Sequence, residues 1–119
     1  MAQLIRNPSI IQAAGTGGKI IKEFFGRVNS NTDEVSIAMM NSPQGWEEPG
    51  QCPEFNEYTV VLRGSLRIRT KNEEFIVSEG MGILTSGNEW VQYSSPFEGG
   101  AEYIAICLPA FSQDIVHRD

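Results

Sequence analysis

The stretch Gly45–Gly64, "GWEEPGQCPEFNEYTVVLRG", decides how this chain is read. It opens as loop, dense in Gly, Pro and acids, and closes in "YTVVL", whose β-branched and aromatic residues belong in a strand. Outward from it the same pattern recurs. "EVSIAMM" precedes it, and "SLRIRT", "EEFIVS", "GILTS", "WVQYSS" and "AEYIAIC" follow. Between these short runs stand "SPQG", "RG", "KN", "EGMG", "SGNE" and "PFEGG", all turn chemistry. That rhythm predicts an all-β sandwich or barrel. "GKIIKEFFGRV" is read as a further strand, and the first fifteen residues as an edge strand followed by a turn.

With 119 residues the chain is one domain, long enough to bury a core without a disulfide or a metal. Nine Lys and Arg against fifteen Asp and Glu leave a net charge of −6, which repels phosphate backbones and anionic lipid. Nucleic acid and membrane are therefore not expected partners. The arginines of "RGSLRIR" do not alter this, because Arg67 and Arg69 alternate with Leu66 and Ile68 as the wet face of a strand. Cys52 and Cys107 form no CxxC pair, no signal peptide is seen at Met1, and no apolar run is long enough to span a bilayer. A reducing cytoplasm is the expected compartment. "GTGGK" fails as a phosphate-binding loop, since Ala13 stands where the first Gly is needed and Ile20 where the hydroxyl is needed.

The spacing within the opening stretch is Gly45, five residues, Gln51, one, Pro53, three, Glu57, six, Gly64. It resembles the first cupin motif, which runs Gly, five, His, one, His, three or four, Glu, six, Gly. Fifteen residues separate Gly64 from Gly80, and "GMGILTSGNEWVQYS" resembles the second motif, with Gly80 and Gly87 in place. The first interval there is one residue short; Thr85 takes the Pro place, Trp90 the His place and Ser94 the Asn place. The resemblance implies a cupin-type double-stranded β-helix, a jelly-roll barrel in a single domain. Residues 1–34 would be N-terminal strands and arm, 35–109 the cupin core and 110–119 a C-terminal tail. Loss of the histidines is shared with the ethanolamine-utilisation Q-like cupins.

Most cupins hold a divalent metal, and the places of its ligands fall here on Gln51, Pro53, Glu57 and Trp90. Only one carboxylate remains among them. Proline has no ligand atom, an indole N–H only donates, and a lone carboxylate with an amide cannot hold zinc or iron tightly. No metal or other cofactor is therefore expected. If Glu57 points into the barrel as the resemblance implies, Thr59, Val61 and Arg63 share its face and Tyr58, Val60 and Leu62 pack outside. Trp90 inward would bring Gln92 and Ser94 with it.

The expected site is thus an organic-ligand pocket, with Glu57 as a desolvated acid or base and Gln51, Glu54, Trp90 and Gln92 as ligand-binding residues. One acid beside an aromatic wall suits a small polar or cationic metabolite. The reaction would be a metal-independent isomerisation or lyase step. Two alternatives stand beside it: a metal-dependent enzyme with a set drawn from Gln51, Glu54, Glu57 and His117, and a structural or regulatory barrel without ligand. The single histidine, His117, is expected in a solvated tail unless that tail crosses the barrel mouth. Trp46 is read as a lid or subunit contact, Cys52 as an unreactive thiol and Cys107 as core. The apolar outer face at Tyr58, Val60 and Leu62 predicts a homodimer.

Overall fold

The computed structural model describes all residues, Met1–Asp119. Nine strands run β1 Ser9–Ile11, β2 Ile20–Phe25, β3 Ser36–Ser42, β4 Trp46–Glu47, β5 Asn56–Thr70, β6 Glu74–Ser78, β7 Gly82–Thr85, β8 Val91–Ser95 and β9 Ala101–Leu108, followed by one helical turn, α1 Gln113–Val116. All pairings between them are antiparallel. One sheet has the order β1-β2-β3-β9-β5-β7 and the other the order β6-β5-β8-β4. "GKIIKEFFGRV" does supply a strand, β2, which adds to β3 with a register shift between Glu23 and Phe25.

β5 belongs to both sheets, and this corrects one reading of the sequence. "RG" at Arg63–Gly64 is not a turn between two strands; one 15-residue strand passes through it. Residues 56–64 pair with β9, and residues 65–70 pair with β6 and β8. Gly64 makes the change of sheet possible. Its φ is +77°, and a Cβ there would collide with the Gly100 carbonyl oxygen of the neighbouring turn.

Between the sheets lies the core: Trp46, Val61, Leu66, Ile68, Val77, Val91, Tyr93, Ala101 and Tyr103. Leu66 and Ile68 are fully buried while Arg67 and Arg69 stay at the surface side, as their alternation requires. Trp46 is neither lid nor subunit contact. It is 1% exposed, with its Nε1 donating to the Ala14 carbonyl at 3.1 Å. A second, smaller cluster of Phe55, Cys107 and Val116 packs with Phe111 and Ile115 and fastens the C-terminal segment to the barrel.

That segment is held as a strap. Cys52 N–H donates to His117 O at 3.0 Å, Glu54 N–H to Ile115 O at 2.9 Å and Asp119 N–H to Gly50 O at 2.8 Å. Ser112 caps α1 by accepting from the Asp114 N–H, and His117 ends it in the left-handed region at φ 48°. The strap therefore runs back along Gly50–Glu54, the loop of the opening stretch.

Candidate functional site: a charged cavity in the barrel

A cavity of about 60 Å³ opens between the inner faces of β2, β3, β5 and β9, the Glu48–Phe55 loop and the C-terminal strap. Alternation along β5 puts Glu57, Thr59 and Val61 on the inner face and leaves Tyr58, Val60 and Leu62 outside. Glu57 lines the cavity, directly across the ladder from Cys107 on β9. Lys19, from the turn before β2, enters from another side, with Nζ 4.1 Å from the centre of the Trp46 ring and 5.3 Å from that of Tyr103. Glu48 and Gln51 come from the loop and Arg118 from the strap. The Arg118 guanidinium donates to Gln51 Oε1 at 2.7 Å and lies 3.7 Å from Glu48.

Burial governs the ionisation of these groups. It pushes the Glu57 carboxyl up from 4.5 to about 7, helped by the neighbouring Glu48 carboxylate and opposed by Lys19, a Tyr93 hydrogen bond and Arg118. The Glu48 carboxyl is also raised by burial, though Lys19 and Arg118 hold it back. Burial works against the Lys19 ammonium, but Tyr103, Glu48 and Glu57 outweigh it and keep its pKa above the ordinary lysine value. Burial and the Glu57 charge drive the Tyr93 hydroxyl and the Cys107 thiol well up. Cys107 is therefore a buried thiol and not a thiolate nucleophile. Tyr93 keeps its proton and is fixed by Thr85, with the two hydroxyls 2.7 Å apart.

Of the residues singled out from sequence, Gln51 and Glu57 meet in this cavity; Glu54, Trp90 and Gln92 do not. Glu54 is exposed and pairs with His117 Nε2 at 2.6 Å. Gln51 pairs with Val91 across a bridge, so the inward residues of β8 are Val91 and Tyr93. Trp90 and Gln92 fall on the other face, and the expected aromatic wall is misplaced by one residue. In a strand such a displacement sends every side chain to the opposite side. Trp90 packs over Gly50 and donates to Asp119 Oδ2 at 3.0 Å, lining a separate outer groove with Cys52, Phe75 and Leu84. Gln92 donates to Glu47 Oε1 and to the Glu48 carbonyl, both at 3.1 Å, which steadies the loop carrying Glu48.

Sequence reasoning missed Lys19, Glu48, Tyr93 and Arg118. Glu48 lay in the quoted stretch, and Lys19 in the "GTGGK" weighed only for phosphate binding. Arg118 follows His117 in the sequence, and it is the residue that the tail brings to the cavity. The strap does cross the mouth, but it delivers a guanidinium, while the imidazole stays at the surface with Glu54.

The donor set does not suit the metal of most cupins. Gln51 spends its oxygen on Arg118, Pro53 offers nothing, Trp90 is outside, and two cations face the remaining carboxylate. Nor do Gln51, Glu54, Glu57 and His117 converge; no group of three or more His, Cys, Asp or Glu is placed to hold a metal ion.

A jelly-roll barrel with its polar cavity between two sheets defines a class, and this chain has the cupin fold. A structure of an RmlC-like cupin from Shewanella frigidimarina matches with a TM-score of 0.73 at 14% identity, over 95% of this chain and 94% of that one. The Clostridium difficile EutQ protein matches with a TM-score of 0.64 at 22% identity, over 77% of this chain and 63% of that one. By sequence, 103 residues are 38% identical to the endoribonuclease YbeY of Myxococcus xanthus. The match takes in 86% of this chain but spans only 35%, about a third, of that relative's length. No protein-family model matches the chain. No helix is long and apolar enough to cross a membrane.

Proposed function

We propose that this chain is a small-molecule-binding cupin that works without the usual metal, with Glu57 moving a proton on a small ligand in the barrel. The observation that carries this reading is a buried carboxyl that lines a cavity with Lys19 and Arg118; burial pushes its pKa up to about 7, against a hydrogen bond from Tyr93. A group with that pKa is able to give and take a proton at neutral pH, as an isomerase or lyase step requires. Convergent polar groups in a concave site also favour ligand binding over mere filling of space.

The cavity does not favour RNA cleavage, the activity in the name of the Myxococcus relative. Its volume of about 60 Å³ is too small for a nucleotide, and the net charge of −6 repels the polyanion. The compartment we propose is the cytoplasm. A second copy of the chain is proposed to cover the outer face of β5, where Tyr58, Val60 and Leu62 are 39%, 45% and 40% exposed.

Native mass spectrometry of protein purified without denaturation tests the reading, with the released molecule identified and then offered back to wild type and Glu57→Gln. The expected result is a bound small metabolite that wild type converts and Glu57→Gln binds without converting. An empty barrel that no small molecule stabilises would overturn the reading, and conversion undiminished in Glu57→Gln would remove Glu57 from it.

A further inference from the structure

We propose that the cavity takes a small monocarboxylate, its carboxylate received by the Lys19 ammonium and the Glu57 carboxyl and its short alkyl end by the apolar wall opposite. This rests on the reading of the cavity as a ligand site and names the ligand's chemistry. The sequence suggested a polar or cationic ligand because it showed one acid and an aromatic wall. The structure replaces that wall with two cations, Lys19 and Arg118, among three carboxylates, Glu23, Glu48 and Glu57, so the charge preference turns on which of these charges is left without a partner.

The charges in the cavity are unequally satisfied. Arg118 is committed to Gln51 and lies against Glu48, so that pair is close to neutral. Lys19 has no carboxylate within salt-bridge distance and rests on the faces of Trp46 and Tyr103. With Tyr103 taking one of its N–H donors, the ammonium keeps the others for a further acceptor. A cationic ligand would have to enter against Lys19, the cation without a carboxylate at salt-bridge distance. An anion would meet Lys19 directly and accept the proton of a neutral Glu57 carboxyl, two charge-assisted hydrogen bonds in a shielded place.

Size and the opposite wall narrow the class further. A cavity of about 60 Å³ holds on the order of four to six waters, hence a ligand of only a few non-hydrogen atoms. Away from Lys19 and Glu57 the lining is Ile11, Ile21, Met40 and Ala105, with the Glu23 carboxylate accepting from the Val28 and Asn29 N–H groups; this wall offers a second carboxylate nothing and suits a methyl or ethyl group. A short monocarboxylate matches both ends.

Binding should then take up a proton on Glu57. The charged and titratable groups around Glu57 in the cavity are Lys19 before β2, Glu23 on β2, Glu48 on the loop, Tyr93 on β8, Cys107 on β9 and Arg118 on the strap. Tyr93 and Cys107 stay neutral, since both are held far up their scales. Glu57 titrates near neutral pH beside Glu48, whose carboxyl burial also raises, and the two carboxyls together set the charge seen by the ligand.

The test is an NMR titration of wild-type protein with propionate, propionamide and propylammonium, from about pH 6 to about pH 8. Propionate is expected to bind best, to shift resonances of Lys19 and Glu57, and to weaken by up to about tenfold per pH unit above about pH 7. Lys19→Met, which keeps the stem over Trp46, should weaken propionate by about tenfold to a hundredfold and spare propionamide. Glu57→Gln should flatten the pH dependence. Propylammonium or propionamide binding better than propionate would overturn the anion proposal while leaving the cavity a ligand site. If none of the three binds at any pH, both readings fall. Should Lys19→Met fail to fold, the ranking of the three probes and the pH slope in wild type decide the matter alone.

Discussion

Replacing Glu57 by Gln should make the protein more stable above neutral pH, by an amount the structure sets. The carboxyl rises from 4.5 to about 7 because burial disfavours its charged form. Its folded pKa lies above its unfolded one, so folding takes up a proton. Below about pH 4.5 both states are protonated and there is no penalty. Between the two values the penalty grows, and above about pH 7 it is constant at roughly 3 kcal/mol, from about 1.36 kcal/mol for each pH unit. Glutamine keeps the shape and one acceptor but cannot ionise. Allowing about 1 kcal/mol for a weaker hydrogen bond with Tyr93, the gain at about pH 8 is roughly 2 kcal/mol. In a chain of this size that is about 8 °C in melting temperature. Urea and thermal unfolding of wild type and Glu57→Gln at about pH 4, 6 and 8 would show it as a gap that opens with pH. A gap that stays constant, or a Gln variant that melts lower at about pH 8, would refute the reasoning. It would mean that the carboxylate is held ionised by Lys19 as a structural ion pair.

Arg118→Ala should lower stability by roughly 2 kcal/mol, because it strands the buried Glu48 carboxylate and Gln51 Oε1 together; adding Glu48→Gln should restore part of the loss in chemical denaturation. Gly64→Ala should cost roughly 3 kcal/mol or more, since its φ of +77° and the Gly100 carbonyl both refuse a Cβ, and circular dichroism melts would register it. Light scattering should find a dimer for wild type and a monomer for Leu62→Glu, whose charge would lie in the covered face; a wild-type monomer would rule out that face as an interface.

The period-two runs and the turns between them belonged to the sequence, because a strand with one wet face must alternate wherever it is folded. From that alone came the all-β class and the division of β5 into two faces; the resemblance to cupins set Glu57, Thr59 and Val61 on the inner one, while Arg63, expected beside them, is turned out to solvent by the irregularity between Val61 and Arg63. The cupin spacing around Gly45–Gly64 placed Glu57 and Gln51 at the barrel, since local intervals along one strand and its entry loop survive folding unchanged. What alternation cannot supply is its own phase. In β8 the phase depends on which residue pairs with Gln51; the answer is Val91, so Trp90 and Gln92 went outward and Tyr93 went in. Glu54 was lost to the site for a similar reason, being one residue out of step with the buried Pro53 and Phe55. Nor does any local pattern announce that Lys19, Glu48 and Arg118 share one cavity with Glu57. They come from a turn, a loop and a strap that are distant in the chain, and only closure of the two sheets through β5 at Gly64 brings their charges within reach of one another. The acid was legible in the sequence because it sits in a strand. The cations that decide what the acid does were not, because their position is a property of the closed barrel.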